Sequence, residues 1–305
     1  MTVKMTPQVV GVGQCSLDIL GQVDRYPELD QKVELSSLLI QGGGPVATAL
    51  VTLARLGVPV AMAGATGDDE FGRQIRCGLE KENVDCTRLI HAPGSASQIA
   101  FIAVDDAGHR NIFWHRGDVS PTIPDSLADL LPDGARILHL DGLHLDVAVA
   151  AAELARTRDV TTVLDAGTLR PGMTSLLPLI DHLVVSARFA RQILPGEDAA
   201  ALSHLAGYGA RAVTITGGKS GSLSMGADGR IFHQPAFTVD VVDTTGCGDV
   251  FHGGYIYGLL QEWSLPEIVR FAAACAALKT RAMGGRTAIP RLLEVQDFLQ
   301  NHEEC

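Results

Sequence analysis

The sequence predicts an α/β fold in which a central, mostly parallel sheet is flanked by helices and carries a small inserted β-sheet lid. Short apolar runs with strand character alternate with longer helical runs, and the 305 residues are 46% apolar, which is enough for one large core. Two further regions contain strand-length runs with polar interruptions and no helix between them, and these predict the small inserted sheet.

Strand and helix patterns alternate along the first two thirds of the chain. Short runs rich in valine, isoleucine and leucine predict strands, whereas longer runs with helical periodicity predict helices. Because the two alternate, we expect βαβ units on a parallel sheet. The predicted strands are 9–13, 60–65, 137–140, 161–165, 182–186 and 212–216, and the predicted helices are 46–56, 70–81, 147–157, 187–194 and 199–208.

The last third of the chain changes character. A strand-like run at 237–242 leads into a tight glycine turn, and an apolar helical run follows as far as Trp263. A helix at 266–282 begins with proline, which is favoured at the first helical position. It ends at the turn 283–285, whose two glycines allow close approach to a ligand, and an amphipathic helix is predicted at 292–301.

The two strand-rich regions without helices are 17–40 and 97–114. They interrupt the alternating pattern near the start of the chain and again before its middle, so they belong to an insertion rather than to a separate sequential domain. We therefore expect a single domain over 1–305, with a lid formed by about 15–41 and 97–117.

The composition excludes several classes of partner and location. A net charge of −11 argues against nucleic acid and against an anionic membrane surface. No apolar run approaches the ~20 residues of a membrane helix, and the N-terminal residues lack the apolar core of a signal peptide. The six cysteines show no CxxC spacing, so we expect free thiols in a reducing cytoplasm; they are Cys15, Cys77, Cys86, Cys247, Cys275 and Cys305.

The segment 243–249, Asp-Thr-Thr-Gly-Cys-Gly-Asp, is the most informative motif. It places Asp249 in the first turn of a helix, beside backbone amides that bind transferred phosphoryl groups well. An acid there can accept a proton from a hydroxyl while the amides stabilise the developing charge. An ordinary N-terminal helix acid is the plain alternative. The glycines before Asp249, and the Gly253-Gly254 pair that suggests close approach inside the helix, favour a phosphoryl-transfer centre.

Two glycine-rich segments and one acid add to this centre. The stretch 42–45, Gly-Gly-Gly-Pro, precedes a helix and is either a plain turn or a backbone surface for a polyhydroxylated ligand. Asp18 follows the first strand and is either a turn former or an acid that binds sugar hydroxyls. The run 216–221 contains Gly-Lys-Ser but has Val213 where a P-loop needs glycine, so a P-loop is excluded, although the turn can still bind phosphate through its amides.

On these residues the chain resembles the PfkB/ribokinase family of carbohydrate kinases over essentially its whole length. Gly43-Gly44 before a helix ending in Ala-Arg-Leu-Gly is similar to the family's N-terminal signature, and 64–72 is similar to the segment that follows it. The segment 243–249 is similar to the C-terminal DTxGAGD signature. The resemblance implies a ribokinase-like fold, ATP-dependent phosphorylation of a sugar hydroxyl with Mg2+, and homodimers through the lid.

The resemblance also implies roles for individual residues. It makes Asp249 the catalytic base and the backbone of 246–248 the anion hole. The positions besides Asp249 fall into four groups by the role they would have. They are Gly246, Cys247 and Gly248 for the anion hole; Asp18, Lys32, Gly43, Gly44 and Thr48 for the acceptor; Thr216, Gly218, Gly221, Gly284 and Gly285 for the nucleotide, the last two near its adenine; and Asp243 and Thr245 for a monovalent cation such as K+.

Three departures from the family pattern affect what is expected. Cys247 replaces the usual alanine of the anion hole, but its amide still donates. Thr48 replaces the asparagine of ribokinases, so the preferred sugar should differ from ribose. The usual Asn-x-x-Glu is Ser186-Ala187-Arg188-Phe189 here, so the magnesium shell must depend on other groups.

The acceptor is expected to be a small ketose phosphorylated on a primary hydroxyl. Residues 42–49, 234–243 and 284–286 are most similar to the sulfofructose-kinase and ketohexokinase-like branch, and Lys32 matches a lid lysine of that kinase. Leu143 replaces its sulfonate-binding arginine, which favours a ketose over a sulfosugar. Two alternatives stay open: a nucleoside kinase, with Tyr26, Phe101, Phe113 and Trp114 as candidate base platforms, and a non-catalytic sugar- or nucleotide-sensing protein.

Overall fold

A computed structural model describes residues 6–105, 109–119 and 129–302. Thirteen strands are seen in these ranges: β1 Val9–Val12, β2 Ser16–Val23, β3 Ser37–Gly43, β4 Val60–Gly67, β5 Asp85–Ala92, β6 Ile99–Asp105, β7 Arg110–His115, β8 Ile137–Leu140, β9 Thr161–Ala166, β10 His182–Ser186, β11 Ala212–Thr216, β12 Ser222–Gly226 and β13 Ile231–Gln234. The same ranges contain eight α-helices: α1 Pro45–Arg55, α2 Glu70–Lys81, α3 Leu145–Thr157, α4 Ala187–Ile193, α5 Asp198–Ala206, α6 Cys247–Leu260, α7 Leu265–Lys279 and α8 Leu292–Gln300.

Nine strands form the large sheet, in the order β13-β12-β11-β10-β9-β8-β1-β4-β5. The seven strands from β11 to β5 are parallel, and β12 and β13 add an antiparallel edge. The predicted parallel sheet is therefore confirmed. It was visible in the sequence because parallel strands are covered on both faces and are apolar throughout.

Helices cover both faces of this sheet, and successive strand residues point to opposite sides. Val9 packs in the core cluster of α1, α6 and α7, whereas the adjacent Val10 packs in the cluster of α3, α4 and α5. Each layer buries its own apolar core. The helical layers leave the carboxyl ends of the strands free to form a site.

Helix α6 is buried on nearly all sides. Its Gly253 lies so close to α1 that an added Cβ would be 2.5 Å from Thr52 Cβ, and at Gly254 an added Cβ would be 2.9 Å from Ala272 Cα on α7. The glycine pair therefore allows close packing of three helices. The expected close approach is real, but the partners are helices and not a ligand.

Four strands form a separate small sheet in the order β3-β2-β6-β7. Strands β2 and β6 are parallel, and the other two pairs are antiparallel. One face buries Leu20, Ala100 and Ile102 and packs with Met283. The smaller sheet expected from the sequence is thus present. Its strands come from the two regions that lacked helical pattern.

The strand expected at 237–242 is absent. Val242 and Asp243 donate their N–H groups to the carbonyl oxygen of Thr280, so the segment runs against the end of α7 and joins no sheet. Its valines suggested a strand, yet Val241 and Val242 are exposed. The strands β5, β12 and β13 were not predicted, and the helices differ from expectation only at their ends.

None of the helices in the three described ranges has the length and apolar character needed to cross a membrane. Five of the six cysteines are free thiols, as expected, and Cys305 lies outside the described residues.

Candidate active site

The carboxyl ends of the parallel strands, the N-terminus of α6 and the small sheet meet at one edge of the large sheet. Strand β7 reaches the loop before α6, where Arg110 Nη1 donates to Thr244 Oγ1 over 2.6 Å. Asp18 on β2, Asp165 on β9 and Asp249 on α6 are close enough that the first two charges raise the pKa of the third. In open α/β sheets this edge is the usual ligand site.

Gly246 turns the chain into α6. It adopts a left-handed conformation with φ 74°, and an added Cβ would be 2.9 Å from Gly285 Cα. Only glycine meets both conditions without strain. The turn leaves the first N–H groups of α6 without helical partners, facing the cleft.

Cys247 and Gly248 form the first turn of α6. The Cys247 N–H also donates to the Thr244 carbonyl oxygen, but over a long 3.3 Å. The Cys247 side chain is half-buried, and burial raises the pKa of its thiol to about 11. At neutral pH the site therefore holds a neutral thiol and not a thiolate.

Asp249 has an unusually high proton affinity for a carboxyl group. Its pKa is raised from 3.8 to about 7, mainly by burial and then by the negative charges of Asp165 and Asp18, while the charges of His252 and Arg286 oppose the rise. A carboxyl group with a pKa near the working pH is well matched to general base catalysis. The sequence pointed to this residue, and the fold brings it to the site edge.

Asp165 and His252 form a side-chain pair that sequence reasoning missed. His252 Nδ1 lies 2.7 Å from the Gly248 carbonyl oxygen, and Nε2 lies 3.1 Å from that of Val184. A carbonyl oxygen only accepts, so each contact is a hydrogen bond when the ring nitrogen carries a proton. The Asp165 carboxylate lies 3.4 Å from Nδ1. The only sequence signal was the spacing of His252, three residues after Asp249 on one helix face.

Asp18 lies over Gly43, where an added Cβ would be 2.1 Å from Asp18 Oδ2. Ser16 Oγ donates to Asp18 Oδ1 over 2.9 Å. Burial raises the pKa of Asp18, while Ser16 and Arg286 oppose the rise. The N-terminal glycine signature thus makes room for a buried carboxylate, and Gly44 continues from it as the residue before α1.

Arg286 is a further residue that sequence reasoning did not assign to the site. It is 6% exposed and donates to Thr48 Oγ1 over 3.3 Å and to the Gly43 carbonyl oxygen over 2.9 Å. The Thr48 hydroxyl is therefore held by a guanidinium group. The two residues are 238 positions apart, so no local pattern could have shown the contact. Lys32, in contrast, is exposed.

A cleft of about 460 Å3 opens beside the anion-hole loop. Thr216, Gly218 and Gly221 line it together with Gly248 and Phe251, so the fold brings together three residues predicted to contact the nucleotide. Its walls are mainly apolar. Because Gly248 lines it, the cleft borders the N-terminus of α6.

Gly284 and Gly285 lie beside the loop that precedes α6 and do not line this cleft. Gly284 donates its N–H to Asp243 Oδ2 over 2.7 Å, and Gly285 packs against Gly246. The hydrogen bond and the close packing hold both glycines against this loop. Their position near the adenine stays a prediction.

Asp243 and Thr245 are bonded to each other rather than to solvent. Asp243 Oδ1 accepts from the Thr245 N–H and from Thr245 Oγ1, each over 2.8 Å. The buried ammonium of Lys279 donates to the Asp243 carbonyl oxygen over 2.8 Å. Lys279 was not predicted, and its only sequence signal was a lone lysine in an alanine-rich helix.

His139, Asp141 and His144 lie at the end of β8 or just beyond it. His139 is completely buried in the strand, and burial lowers its pKa to about 3. Asp141 accepts from the N–H groups of Gln14 and Leu143, so it fixes two loops. Within the described ranges no three His, Cys, Asp or Glu side chains are placed to hold a metal ion.

Comparison with known proteins extends over almost the whole chain. A family model described as pfkB family carbohydrate kinase matches residues 6–292. The ATP-dependent ribose-1-phosphate kinase of Halopiger xanaduensis is 29% identical over 284 residues, which cover 92% of this chain and 94% of that protein. The ribokinase of Haemophilus influenzae is 28% identical over 302 residues, which cover 95% of this chain and 97% of that protein.

Solved structures agree in fold. The ribokinase of Arabidopsis thaliana, solved with ribose and ATP, has a TM-score of 0.86 and 23% identity, and the match covers 97% of this chain and 99% of that one. At that identity the likeness establishes the ribokinase-like fold alone. The family match, in contrast, spans both glycine signatures and the C-terminal motif. The chain therefore belongs to the pfkB family of carbohydrate kinases.

Proposed function

We propose that this carbohydrate kinase transfers the γ-phosphoryl group of ATP to a primary hydroxyl of a small sugar of the ketose type. The observation that carries the proposal is Asp249, a half-buried carboxyl group with a pKa raised to about 7, in the first turn of α6 and beside the glycine loop. Proton acceptor and phosphate-binding amides are thereby adjacent.

Asp249 accepts the proton of the acceptor hydroxyl as its oxygen bonds to the γ-phosphorus. The bond from that phosphorus to the bridging oxygen breaks, and ADP leaves with the electron pair. The amides of Gly246, Cys247 and Gly248 and the α6 dipole stabilise the charge on the transferred group. Positioning and electrostatics supply most of the acceleration in such reactions.

The acceptor would be held between the small sheet and α1. Asp18 and the backbone of Gly43 and Gly44 supply groups for sugar hydroxyls, and Lys32 would reach the sugar only if its segment moved. Thr48 would act through Arg286, which holds its hydroxyl. Thr48 stands where ribokinases carry asparagine, and its hydroxyl is engaged by this buried guanidinium, which supports an acceptor other than ribose.

ATP would occupy the apolar cleft lined by Thr216, Gly218 and Gly221. The Arabidopsis relative was solved with ATP, and a ribokinase relative from E. coli with ATP and Mg2+. Since the described residues offer no three-ligand cluster, Mg2+ would be bound by phosphate oxygens and water, and Asp165, whose charge acts on Asp249, is the acid that would hold such a water. Bound there, the ion would neutralise charge on the phosphates.

The small sheet would act as a lid and as a dimer interface. Its outer face exposes Leu38, Ile40, Phe101 and Phe113, and Phe101 and Phe113 pack against each other across neighbouring strands. A continuous apolar face of this kind favours a partner, and we assign it to a second copy of the chain. Free cysteines support a reducing, cytoplasmic setting.

A nucleoside kinase is the second candidate. Trp114 pairs with Ala100 in register and so shares the inner face of the small sheet, where a base could stack. Phe101 and Phe113 belong to the outer face, and the Tyr26 hydroxyl is bonded to the Ala103 carbonyl oxygen. One aromatic side chain therefore supports a base platform, whereas Asp18, Gly43 and Arg286 support a sugar.

A coupled ADP-release assay over ketoses, aldoses and nucleosides tests the proposal. We expect release that depends on a sugar and is highest with a ketose. Highest release with a nucleoside would favour the second candidate. The absence of acceptor-dependent release with every compound would favour a sensing protein and contradict both.

A further inference from the structure

Lys279 is a fully buried lysine directly behind the anion-hole loop. It is the last residue of α7, is 0% exposed, and donates from Nζ to the Asp243 carbonyl oxygen over 2.8 Å. Its Nζ also lies 3.9 Å from Asp243 Oδ2. Lysine is almost never completely buried unless its charge is paired, so this position has a specific requirement for a positive charge.

The oxygen atoms expected to bind a monovalent cation are already engaged. Asp243 Oδ1 accepts two hydrogen bonds from Thr245, and Oδ2 accepts one from the Gly284 N–H. The positive charge beside Asp243 is the ammonium of Lys279, which donates to the Asp243 carbonyl oxygen and lies near the Asp243 carboxylate. A free K+ ion would therefore compete with the ammonium group of Lys279, which is part of the chain. The oxygen atoms of Asp243 do not fit K+.

The electrostatics agree with a charged lysine. Burial lowers the pKa of Lys279, and Cys247, Asp243 and Asp249 oppose this. Burial also raises the pKa of Asp243, but the hydrogen bonds from Thr245 and Gly284 and the charge of Lys279 outweigh it, so the pKa lies below its usual value. Each group stabilises the charged form of the other.

We propose that the ammonium of Lys279 is a built-in monovalent cation for the anion-hole loop, so that this kinase works without K+. The proposal rests on the proposed kinase function. The ammonium fixes the Asp243 end of the loop, Asp243 fixes Gly284, and Gly285 packs under Gly246. The contacts therefore run from the lysine to the glycine that opens the anion hole.

The first test uses the unmodified protein. Acceptor-dependent ADP release is measured with tetramethylammonium as the only monovalent cation and then with added KCl at constant ionic strength. We expect kcat to change by less than about twofold, and the midpoint of thermal unfolding to be equal in the two salts. Saturable stimulation by K+, or stabilisation specific to K+, would overturn the proposal.

The second test removes the charge with Lys279→Met and uses Lys81→Met, an exposed lysine at the end of α2, as the matched control. We expect Lys279→Met to lower kcat by about tenfold or more in K+-free buffer with a smaller change in KM, since the amides lose their positions. Lys81→Met should match the wild type. A folded Lys279→Met variant with unchanged kcat would contradict the proposal; if that variant does not fold, the first test decides.

The two tests separate this inference from the proposed function. Absence of ADP release under every cation would contradict the kinase itself, because no cation condition would then matter. Release that requires K+ would leave the kinase intact and overturn only the role of Lys279.

Discussion

At the scale of the residue, the site depends on carboxyl groups whose proton affinities are set by their neighbours. Asp249 has an intrinsic tendency to stay protonated because it is desolvated and close to Asp165 and Asp18. His252 and Arg286 supply the positive charge that opposes this. These effects leave its pKa near neutrality rather than far above it, which suits the proposed role of general base.

The pH dependence of kcat/KM should report this balance. Asp249 accepts a proton only when ionised, so activity should fall as pH is lowered through about 7. Asp165→Asn removes a neighbouring negative charge and should move this acidic limb to lower pH, by up to about one unit. His252→Asn removes positive charge and should move it to higher pH. Steady-state kinetics from pH 5 to about 9 measure both shifts.

The opposite signs of these two shifts are the control. Both variants disturb the same contact between Asp165 and His252. A general loss of structure would lower activity, but it would not shift the acidic limbs of the two pH profiles in opposite directions. If the acidic limb of kcat/KM lay at the same pH in the wild type and in Asp165→Asn, the assignment of Asp249 as the titrating base would be contradicted.

Several of these residues could not be predicted from the sequence, for a physical reason. Asp249, Asp18 and the glycines lie in local motifs whose spacing fixes a turn before a helix, so they were predicted. Arg286, Lys279 and Asp165 act through contacts with residues far away along the chain. Only the fold brings such groups together, and a lone basic or acidic residue carries no local signal of its partner.

At the scale of the element, α6 links catalysis to packing. Its N-terminus presents the amides, while its glycines pack against α1 and α7. The helix is therefore held against two others directly below the site. A shift of α6 would move Asp249 and the proposed anion hole together, so the proposed reaction would depend on this packing.

Gly253→Ala tests this packing. The new Cβ would be 2.5 Å from Thr52 Cβ on α1, and overpacking of this kind costs about 1–3 kcal/mol. Gly78→Ala is the matched control, because Gly78 lies in α2 with nothing within 4 Å of the added Cβ. The control should gain about 0.5–1 kcal/mol. Urea unfolding measures both; equal stability of the two variants would contradict the close packing.

The elements that were predicted and those that were missed differ in burial. Strands β1, β4 and β8 to β11 are covered by helices on both faces, so their apolar runs stand out. The hairpin β12–β13 is at the sheet edge, and its β13 is largely solvent-exposed with mixed residues. The segment 237–242 has strand-like composition but pairs with the end of α7. Residue type alone does not determine which part of the chain a segment will pair with.

At the scale of the whole molecule, the small sheet presents an apolar outer face on the side away from the cleft. Leu38, Ile40 and Phe113 are each more than half exposed there. A second copy of the chain that covered this face would hold the two small sheets against each other. Assembly would then influence how the lid closes over the acceptor.

Phe113→Glu tests the assembly. A charge in the centre of an apolar interface should dissociate the dimer, because the desolvated carboxylate would have no partner. Leu293→Glu, an equally drastic change at an exposed position of α8, is the control and should leave the mass unchanged. Light scattering of the purified proteins measures this. A wild-type monomer, or a Phe113→Glu dimer, would contradict the proposed interface.

The central claim is that Asp249 is the base of a phosphoryl transfer, and acceptor-dependent ADP release by Asp249→Asn tests it most directly. The control is Asp146→Asn, which changes another acid in the first turn of a helix, at an exposed position. We predict that Asp249→Asn lowers kcat by about 10²-fold or more with acceptor binding largely retained, and that Asp146→Asn matches the wild type. Wild-type turnover by a folded Asp249→Asn variant would contradict the claim.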